Sequence, residues 1–158
     1  AVNNGEDLEA RSAVMLGSTY AGLAFGSAGT AAAHAIQYPI GAETHTAHGL
    51  GVGVLLPYTM RFNASVVAAR YAEIACVMGV AGKDQSDETA AHACIEALSA
   101  LFAKIGMPAT IDAIGIKNEH LDQIDELSMN AARLVENNPR PLSPSAVKTI
   151  LIDAMKSA

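Results

Sequence analysis

The stretch HAIQYPIGAETHTAHGLGVGVLLPYTMRFN, residues 34–63, contains three of the five histidines in the chain and is rich in small and apolar residues. An imidazole buried among such neighbours needs a hydrogen-bond partner or a metal ion. His34 and His48 are 14 residues apart. On one unbroken helix this spacing separates them by about 21 Å along the axis, which is too far for both rings to bind one ion.

The residues between these two histidines predict a break in the helix. Pro39 removes one helical hydrogen bond, and Gly41 lets the backbone turn. We therefore expect a helix that ends near Tyr38, a short loop, and a second helix that begins near Thr44 or Ala47. This arrangement brings both imidazoles to one point.

The composition is that of a single domain with little charge. The chain has 158 residues, of which 51% are hydrophobic and 16% charged, and this length supports a sizeable core. So few charges indicate that another domain or a partner subunit covers much of the surface, as in a homo-oligomer. The net charge of −6 and ten scattered basic residues exclude a nucleic-acid partner, which requires clustered Lys and Arg.

Residues 12–42 contain no charged side chain, so a membrane span has to be considered. The segment is mostly Ala, Gly, Ser and Thr with few Leu or Ile, which favours a helix buried in a soluble core instead. Cys76 and Cys94 lie in apolar helical patterns and are expected to be buried free thiols, as in a cytoplasmic protein. The chain starts at Ala1 without a signal peptide or an initiator Met, and we expect a fragment or a processed form.

The sequence shows no convincing alternation of apolar and polar residues with a period of two, so it predicts an all-α fold with about seven to nine helices. Cap residues mark several helix starts, with Thr30 before the His34 helix and Ser143 before Pro144. The other predicted helical segments are about 4–25, 47–63, 65–78, 87–105 and 127–135.

Three glycines at positions 49, 51 and 53 superficially resemble a phosphate-binding loop. No strand precedes them, and their spacing does not match the dinucleotide-binding pattern. The simpler interpretation is that they let the second helix pass close to the His34 segment.

Several landmarks in the sequence resemble the iron-containing (group III) alcohol dehydrogenases, and they extend over essentially the whole chain. The segment 21–25 is similar to the family's sequence before its first histidine in this region. Two later landmarks are 105–108 and 138–143. The central set is His34-Ala35, Gly41, Ala47-His48-Gly49, Leu55-Leu56-Pro57 and Phe62-Asn63.

This resemblance implies that residues 1–158 form one helical metal-binding domain, of the dehydroquinate synthase-like kind, from a two-domain enzyme. In the family, an N-terminal α/β domain binds NAD or NADP, and the metal lies in the cleft, held by one Asp and three His. By position, His34 and His48 correspond to the last two histidine ligands. The Asp and the first His have no counterpart here, so the nucleotide-binding domain and half of the metal site are missing from this chain.

The implied reaction is hydride transfer between an alcohol, aldehyde or hydroxyacid and a nicotinamide, assisted by Fe(II) or Zn(II). With only two ligands, the chain alone is expected to be inactive. Most relatives have a further histidine four residues after the first one. Here that position is Tyr38, and Tyr38-Pro39-Ile40 is similar to the hydroxyacid–oxoacid transhydrogenase branch, which makes Tyr38 a candidate catalytic residue.

Two other hypotheses remain open from the residues alone. Glu43, His45 and His48 are close in sequence and form a candidate metal site of their own, since residues three apart share a helical face. Alternatively, the chain is a non-catalytic helical module for binding or oligomerisation. Arg140, between two prolines, is a candidate ligand-facing cation, but we expect it to pair with a carboxylate or to cap a helix end.

Overall fold

The computed structural model describes residues 1–82 and 84–155, and within these ranges it contains α-helices and 3-10 turns but no strand. The prediction of an all-α fold is confirmed, with seven α-helices. Two short 3-10 turns, Asp112–Ile114 and Asn118–His120, precede the fifth helix. The helices are α1 Leu8–Ala28, α2 Ala32–Thr44, α3 His48–Val77, α4 Asp87–Lys104, α5 Leu121–Ser128, α6 Ala132–Glu136 and α7 Pro144–Ala154.

The chain divides into two compact units, residues 1–30 and the residues from Ala31 onward. The first unit consists of α1, which begins where Asp7 Oδ1 accepts a hydrogen bond from Ala10 N at 2.9 Å. None of its residues is buried. The predicted core burial of residues 12–42 is therefore correct for α2, whose residues are mostly buried, and wrong for α1.

Helix α2 continues through Pro39 and Gly41, so the helix break predicted there is wrong. Proline in a helix interior costs about 3 kcal/mol, although its own φ is compatible with helix. Ile36 and Ile40 on either side are completely buried, and each buried side chain of this size stabilises the helical packing by about 2 kcal/mol. Burial therefore outweighs the lost hydrogen bond.

The turn lies instead between α2 and α3. His45 ends α2 in the left-handed region at φ 54°, which is unusual for a residue with a side chain. The Thr44 hydroxyl supports the turn by hydrogen bonds to Ile40 O at 2.9 Å and to the Thr46 hydroxyl at 2.6 Å. Helix α3 begins at His48, so the predicted two-helix arrangement is correct although its break is misplaced.

Helices α2, α3, α5 and α7 enclose the main core, and α3 packs along α4 around a second one. Helix α3 is one element with a kink at Val67, where two separate helices were predicted. The predicted starts of α4 and α7 are correct: Ser86 Oγ caps α4 through Thr89 N at 3.3 Å, and Ser143 Oγ caps α7 through Ala146 N at 3.2 Å. The predicted cap of α2 is wrong, because its N-cap residue is Ala31 and not Thr30. The region 117–136 forms two short helices, α5 and α6, where one at 127–135 was predicted.

In the part of the chain that the structure describes, α3 is the one helix long and apolar enough to cross a membrane, with a mean hydropathy of 1.2. A third of that apolar window is buried within the chain, and α2, α4 and α7 all pack against α3. A core helix of a soluble protein meets the same test of length and composition.

Candidate metal centre

His34, in the first turn of α2, and His48, the first residue of α3, lie next to each other. Their ring centres are 5.2 Å apart, and the ring planes are tilted by 56°. Two imidazoles that bind one tetrahedral metal at about 2.1 Å from each ligating nitrogen have ring centres about 5 Å apart. The pair therefore has the separation that a shared metal ion requires.

His34 is half-buried near the start of α2. Burial lowers its pKa from the ordinary value, and the neighbouring His48 lowers the pKa further, because each charge disfavours the other. The imidazole is thus kept in the neutral form, which is the form that binds metals. Among the described residues, no side-chain hydrogen bond involves the His34 ring.

His48 is the first residue of α3, and its Nδ1 lies 2.8 Å from Oε1 of Gln37. Gln37 is 3% exposed, whereas His48 is exposed. With Nδ1 engaged by the buried amide, Nε2 is the ring nitrogen of His48 that remains for a metal. Sequence reasoning missed Gln37; the signal was an uncharged polar residue between Ile36 and Ile40 on an otherwise buried helix.

Tyr38 lies beside the histidine pair and is 52% exposed. Its ring stands 6.1 Å from the His48 ring, with the planes only 28° apart. The phenol thus borders the same exposed surface as the two imidazoles, in a position to contact a small molecule bound there.

The structure does not assemble the alternative site of Glu43, His45 and His48. His45 is an exposed cap of α2 and does not share a helix with His48, so their spacing does not place them on one face. Glu43 Oε1 lies 3.7 Å from His120 Nε2, and the His120 side chain is only partly exposed. No group of three or more His, Cys, Asp or Glu in residues 1–82 and 84–155 is arranged to hold a metal ion.

The donor set fits half of a metal centre. Two neutral imidazoles suit Fe(II) and Zn(II), which require at least one or two further ligands for a stable site. The exposed side of His48 leaves room for ligands from outside this chain.

A buried amide pair holds the helices that carry the histidines. Asn63 Nδ2 donates to Asn138 Oδ1 at 3.1 Å, and Asn138 Nδ2 donates to Asn63 Oδ1 at 2.8 Å. Asn138 Oδ1 also accepts from Ala32 N at 3.4 Å, at the start of α2. Asn63 and Asn138, which belong to sequence landmarks far apart in the chain, therefore form one hydrogen-bonded link between α2 and α3.

Among the residues that the structure describes, Arg140 neither pairs with a carboxylate nor caps a helix end, so that prediction is wrong. Its Nη1 donates to Phe62 O at 2.8 Å, and its guanidinium lies 4.1 Å from the centre of the Phe62 ring. Asn138 Nδ2 donates to Arg140 O at 2.6 Å, so Arg140 continues the same link.

The three glycines lie in the first turns of α3, so they form no phosphate loop. A Cβ at position 51 would lie 2.8 Å from Gln37 Cγ, as expected for close passage of the His34 segment. Gly53 gives room to Met107, and Gly49 faces open space. Close approach therefore explains Gly51 and does not explain Gly49.

Comparison with known proteins gives consistent matches. Residues 1–155 match the model of the Fe-containing alcohol dehydrogenase family, C-terminal. The chain is 36% identical over 150 residues to "Long-chain-alcohol dehydrogenase 1" of Geobacillus thermodenitrificans (strain NG80-2), which covers 95% of this chain and 38% of that protein. It is 33% identical over 134 residues to "Lactaldehyde reductase" of Escherichia coli (strain K12), covering 85% of this chain and 35% of that protein.

Solved structures agree in fold. A crystal structure of 1,3-propanediol oxidoreductase matches with a TM-score of 0.91 and 28% identity, over 96% of this chain and 39% of that one. An alcohol dehydrogenase from Oenococcus oeni matches with a TM-score of 0.91 and 30% identity, over 96% and 39%. The chain spans less than half the length of these relatives. It belongs to the Fe-containing alcohol dehydrogenase family and corresponds to that family's C-terminal region.

Proposed function

We propose that this chain is the metal- and substrate-binding half of an NAD(P)-dependent, iron-containing alcohol dehydrogenase. The observation that carries the proposal is the His34–His48 pair, with ring centres 5.2 Å apart on an exposed surface next to Tyr38. The family match supports a metal of the iron type, and Zn(II) is chemically compatible with the same two imidazoles.

Each residue of the pair has a defined part. His34 and His48 hold the metal through ring nitrogens, and Oε1 of Gln37 is hydrogen-bonded to Nδ1 of His48. When bound, the metal supplies Lewis acidity that lowers the pKa of an alcohol oxygen. The phenol of Tyr38, exposed beside His48, contacts the substrate at the position where most relatives have a histidine.

The substrate class is a small alcohol, the corresponding aldehyde, or a hydroxyacid. Relatives named for long-chain alcohols, lactaldehyde, methanol, 1-propanol and 1,3-propanediol match this chain at 31–36% identity. This variety of substrates among relatives supports the general reaction. The particular substrate is then determined by residues near the metal, Tyr38 among them.

The remaining ligands and the nicotinamide site are contributed by a preceding α/β domain, in a cytoplasmic homo-oligomer. The preceding domain is supported by the coverage, since the chain accounts for only 38% of the length of the long-chain-alcohol dehydrogenase. The homo-oligomer is suggested by the low content of charged residues, and the cytoplasmic location by the two free cysteines. With two ligands and no nucleotide domain, the isolated chain binds metal weakly and has no dehydrogenase activity.

The test starts with the reading frame upstream of Ala1, which should encode a glycine-rich nucleotide-binding domain and an Asp-x-x-x-His segment. The whole polypeptide, loaded with Fe(II), should reduce NAD or NADP in the presence of a primary alcohol. His34→Ala and His48→Ala should each reduce the turnover at least about 100-fold without unfolding the protein.

Two matched controls sharpen this result. His92 is exposed on α4 and His45 is exposed at the turn, so His92→Ala and His45→Ala should retain activity. Full activity of His34→Ala, or a reading frame that starts at Ala1, contradicts the proposal. Loss of activity in His45→Ala but not in His34→Ala favours the Glu43–His45–His48 site instead.

A further inference from the structure

Gln37 contacts His48 directly, and its environment limits where its amide can go. The side chain is 3% exposed between α2 and α3, with Oε1 2.8 Å from His48 Nδ1. An amide oxygen accepts hydrogen bonds and cannot donate them. The contact with Oε1 is therefore a hydrogen bond only when the neutral His48 ring carries its proton on Nδ1, which leaves the lone pair on Nε2.

Two glycines make the space for this amide. A Cβ at Gly41, one turn after Gln37 on α2, would lie 2.7 Å from Gln37 Nε2. A Cβ at Gly51, one turn after His48 on α3, would lie 2.8 Å from Gln37 Cγ and 3.2 Å from Nε2. The distances of 2.7 and 2.8 Å are shorter than any ordinary contact of a methyl group. The space beside Gly41 and Gly51 therefore forms a slot that holds the Gln37 amide.

We propose that Gln37 is a positioning residue, which fixes the tautomer and the orientation of His48 so that Nε2 is available to the metal, and that Gly41 and Gly51 hold its amide in the slot. The inference rests on the proposed metal-binding role of His48. Ligating histidines commonly donate their other ring N–H to an oxygen, and loss of such a partner weakens metal binding by about 10–100-fold.

The slot also explains two features of the sequence that local rules misjudge. Gly41 predicts a turn but lies within α2, because the Gln37 amide occupies the place of its side chain. Gly51 looks like part of a glycine-rich loop but lies within α3, where it faces the same amide.

The tautomer of His48 can be determined by NMR in the absence of a metal. The full 158-residue chain is labelled with ¹⁵N-histidine and observed by NMR at a pH where the imidazoles are neutral, and His48→Ala identifies the His48 signals. In the wild-type chain, His48 should carry its proton on Nδ1. In Gln37→Met, which keeps the length of the side chain but offers only a weakly accepting thioether sulfur, the proton should move to Nε2 in a large part of the molecules.

Zinc binding is measured on the same variants by calorimetry. We expect Gln37→Met to bind Zn²⁺ about tenfold more weakly than the wild-type chain. Gln37→Glu keeps an oxygen acceptor for Nδ1–H and should retain both the tautomer and the affinity. Far-UV circular dichroism establishes that each variant is folded.

Two matched glycine variants test whether the slot positions the Gln37 amide. Gly51→Ala displaces the amide and should reproduce the tautomer change of Gln37→Met. Gly49→Ala, two residues earlier on the same helix and facing open space, should leave the tautomer of His48 as in the wild-type chain.

Three results overturn the inference: a wild-type His48 protonated on Nε2, a Gln37→Met variant with unchanged tautomer and zinc affinity, or a Gln37→Glu variant as impaired as Gln37→Met. The proposed metal site fails separately, if His34→Ala and His48→Ala bind zinc as the wild-type chain does. If His34→Ala and His48→Ala lose zinc affinity but Gln37→Met does not, the metal site stands and only the positioning role of Gln37 is contradicted.

Discussion

Replacing Asn138 with alanine should remove the buried link between the start of α2 and the middle of α3. The variant loses both amide hydrogen bonds to Asn63, at 2.8 and 3.1 Å, the bond to Arg140 O at 2.6 Å, and the bond from Ala32 N at 3.4 Å. The Asn63 amide, which is 6% exposed, loses its partners on Asn138. At about 1 kcal/mol for each of these lost bonds, unfolding should become about 4 kcal/mol easier.

This loss is a large part of the stability of a domain, which is about 5–15 kcal/mol. Urea unfolding of the chain, followed by far-UV circular dichroism, measures it directly. Asn130→Ala, at an exposed asparagine, is the control and should change the unfolding free energy by less than about 0.5 kcal/mol. The double variant Asn63→Ala with Asn138→Ala should lose clearly less than the sum of the single losses. An Asn138→Ala loss below about 1 kcal/mol refutes the reasoning.

Three further predictions concern exposed and buried groups elsewhere. Cys76 is exposed, whereas Cys94 is 1% exposed and has a pKa raised by burial. A thiol reagent should therefore modify Cys76 quickly and Cys94 only on unfolding; rapid modification of both cysteines in the folded chain contradicts this. Because the unfolded chain releases the Cys94 proton first, the unfolding free energy should fall as pH rises above the ordinary value of 9.0; Cys94→Ala should show a smaller fall in pH-resolved urea curves, since Tyr58 and Tyr71, whose pKa values burial also raises, still contribute. Gly106 has φ +78° with open space around it, so Gly106→Ala should cost about 1 kcal/mol in thermal melts, whereas Gly82→Ala, also in open space, should not.

The features that the sequence predicted correctly are those encoded locally. The starts of α4 and α7 follow from Ser86 and Ser143, whose hydroxyls cap the adjacent turn. The approach of His34 to His48 also follows from a short connection between two helices. In contrast, the break at Pro39 was misplaced, because a local helix breaker was outweighed by burial of its neighbours.

The features that sequence reasoning missed depend on residues that tertiary packing brings together. Gln37 and His48 are 11 residues apart, and Asn63 and Asn138 are 75 apart. Nothing in the local pattern of either asparagine specifies its partner. Cys76 was expected to be buried like Cys94, but its side of α3 is exposed in this chain. An apolar stretch predicts a helix, but does not identify which of its faces is covered.

Anomalous diffraction from crystals of the iron-loaded, whole polypeptide tests directly whether His34 and His48 hold one metal ion. We expect a single anomalous peak about 2.1 Å from a ring nitrogen of His34 and from Nε2 of His48. Nδ1 of His48 should remain hydrogen-bonded to the Gln37 oxygen. A peak bound to neither histidine, or one held by Glu43 and His45, would show that His34 and His48 do not form the metal site.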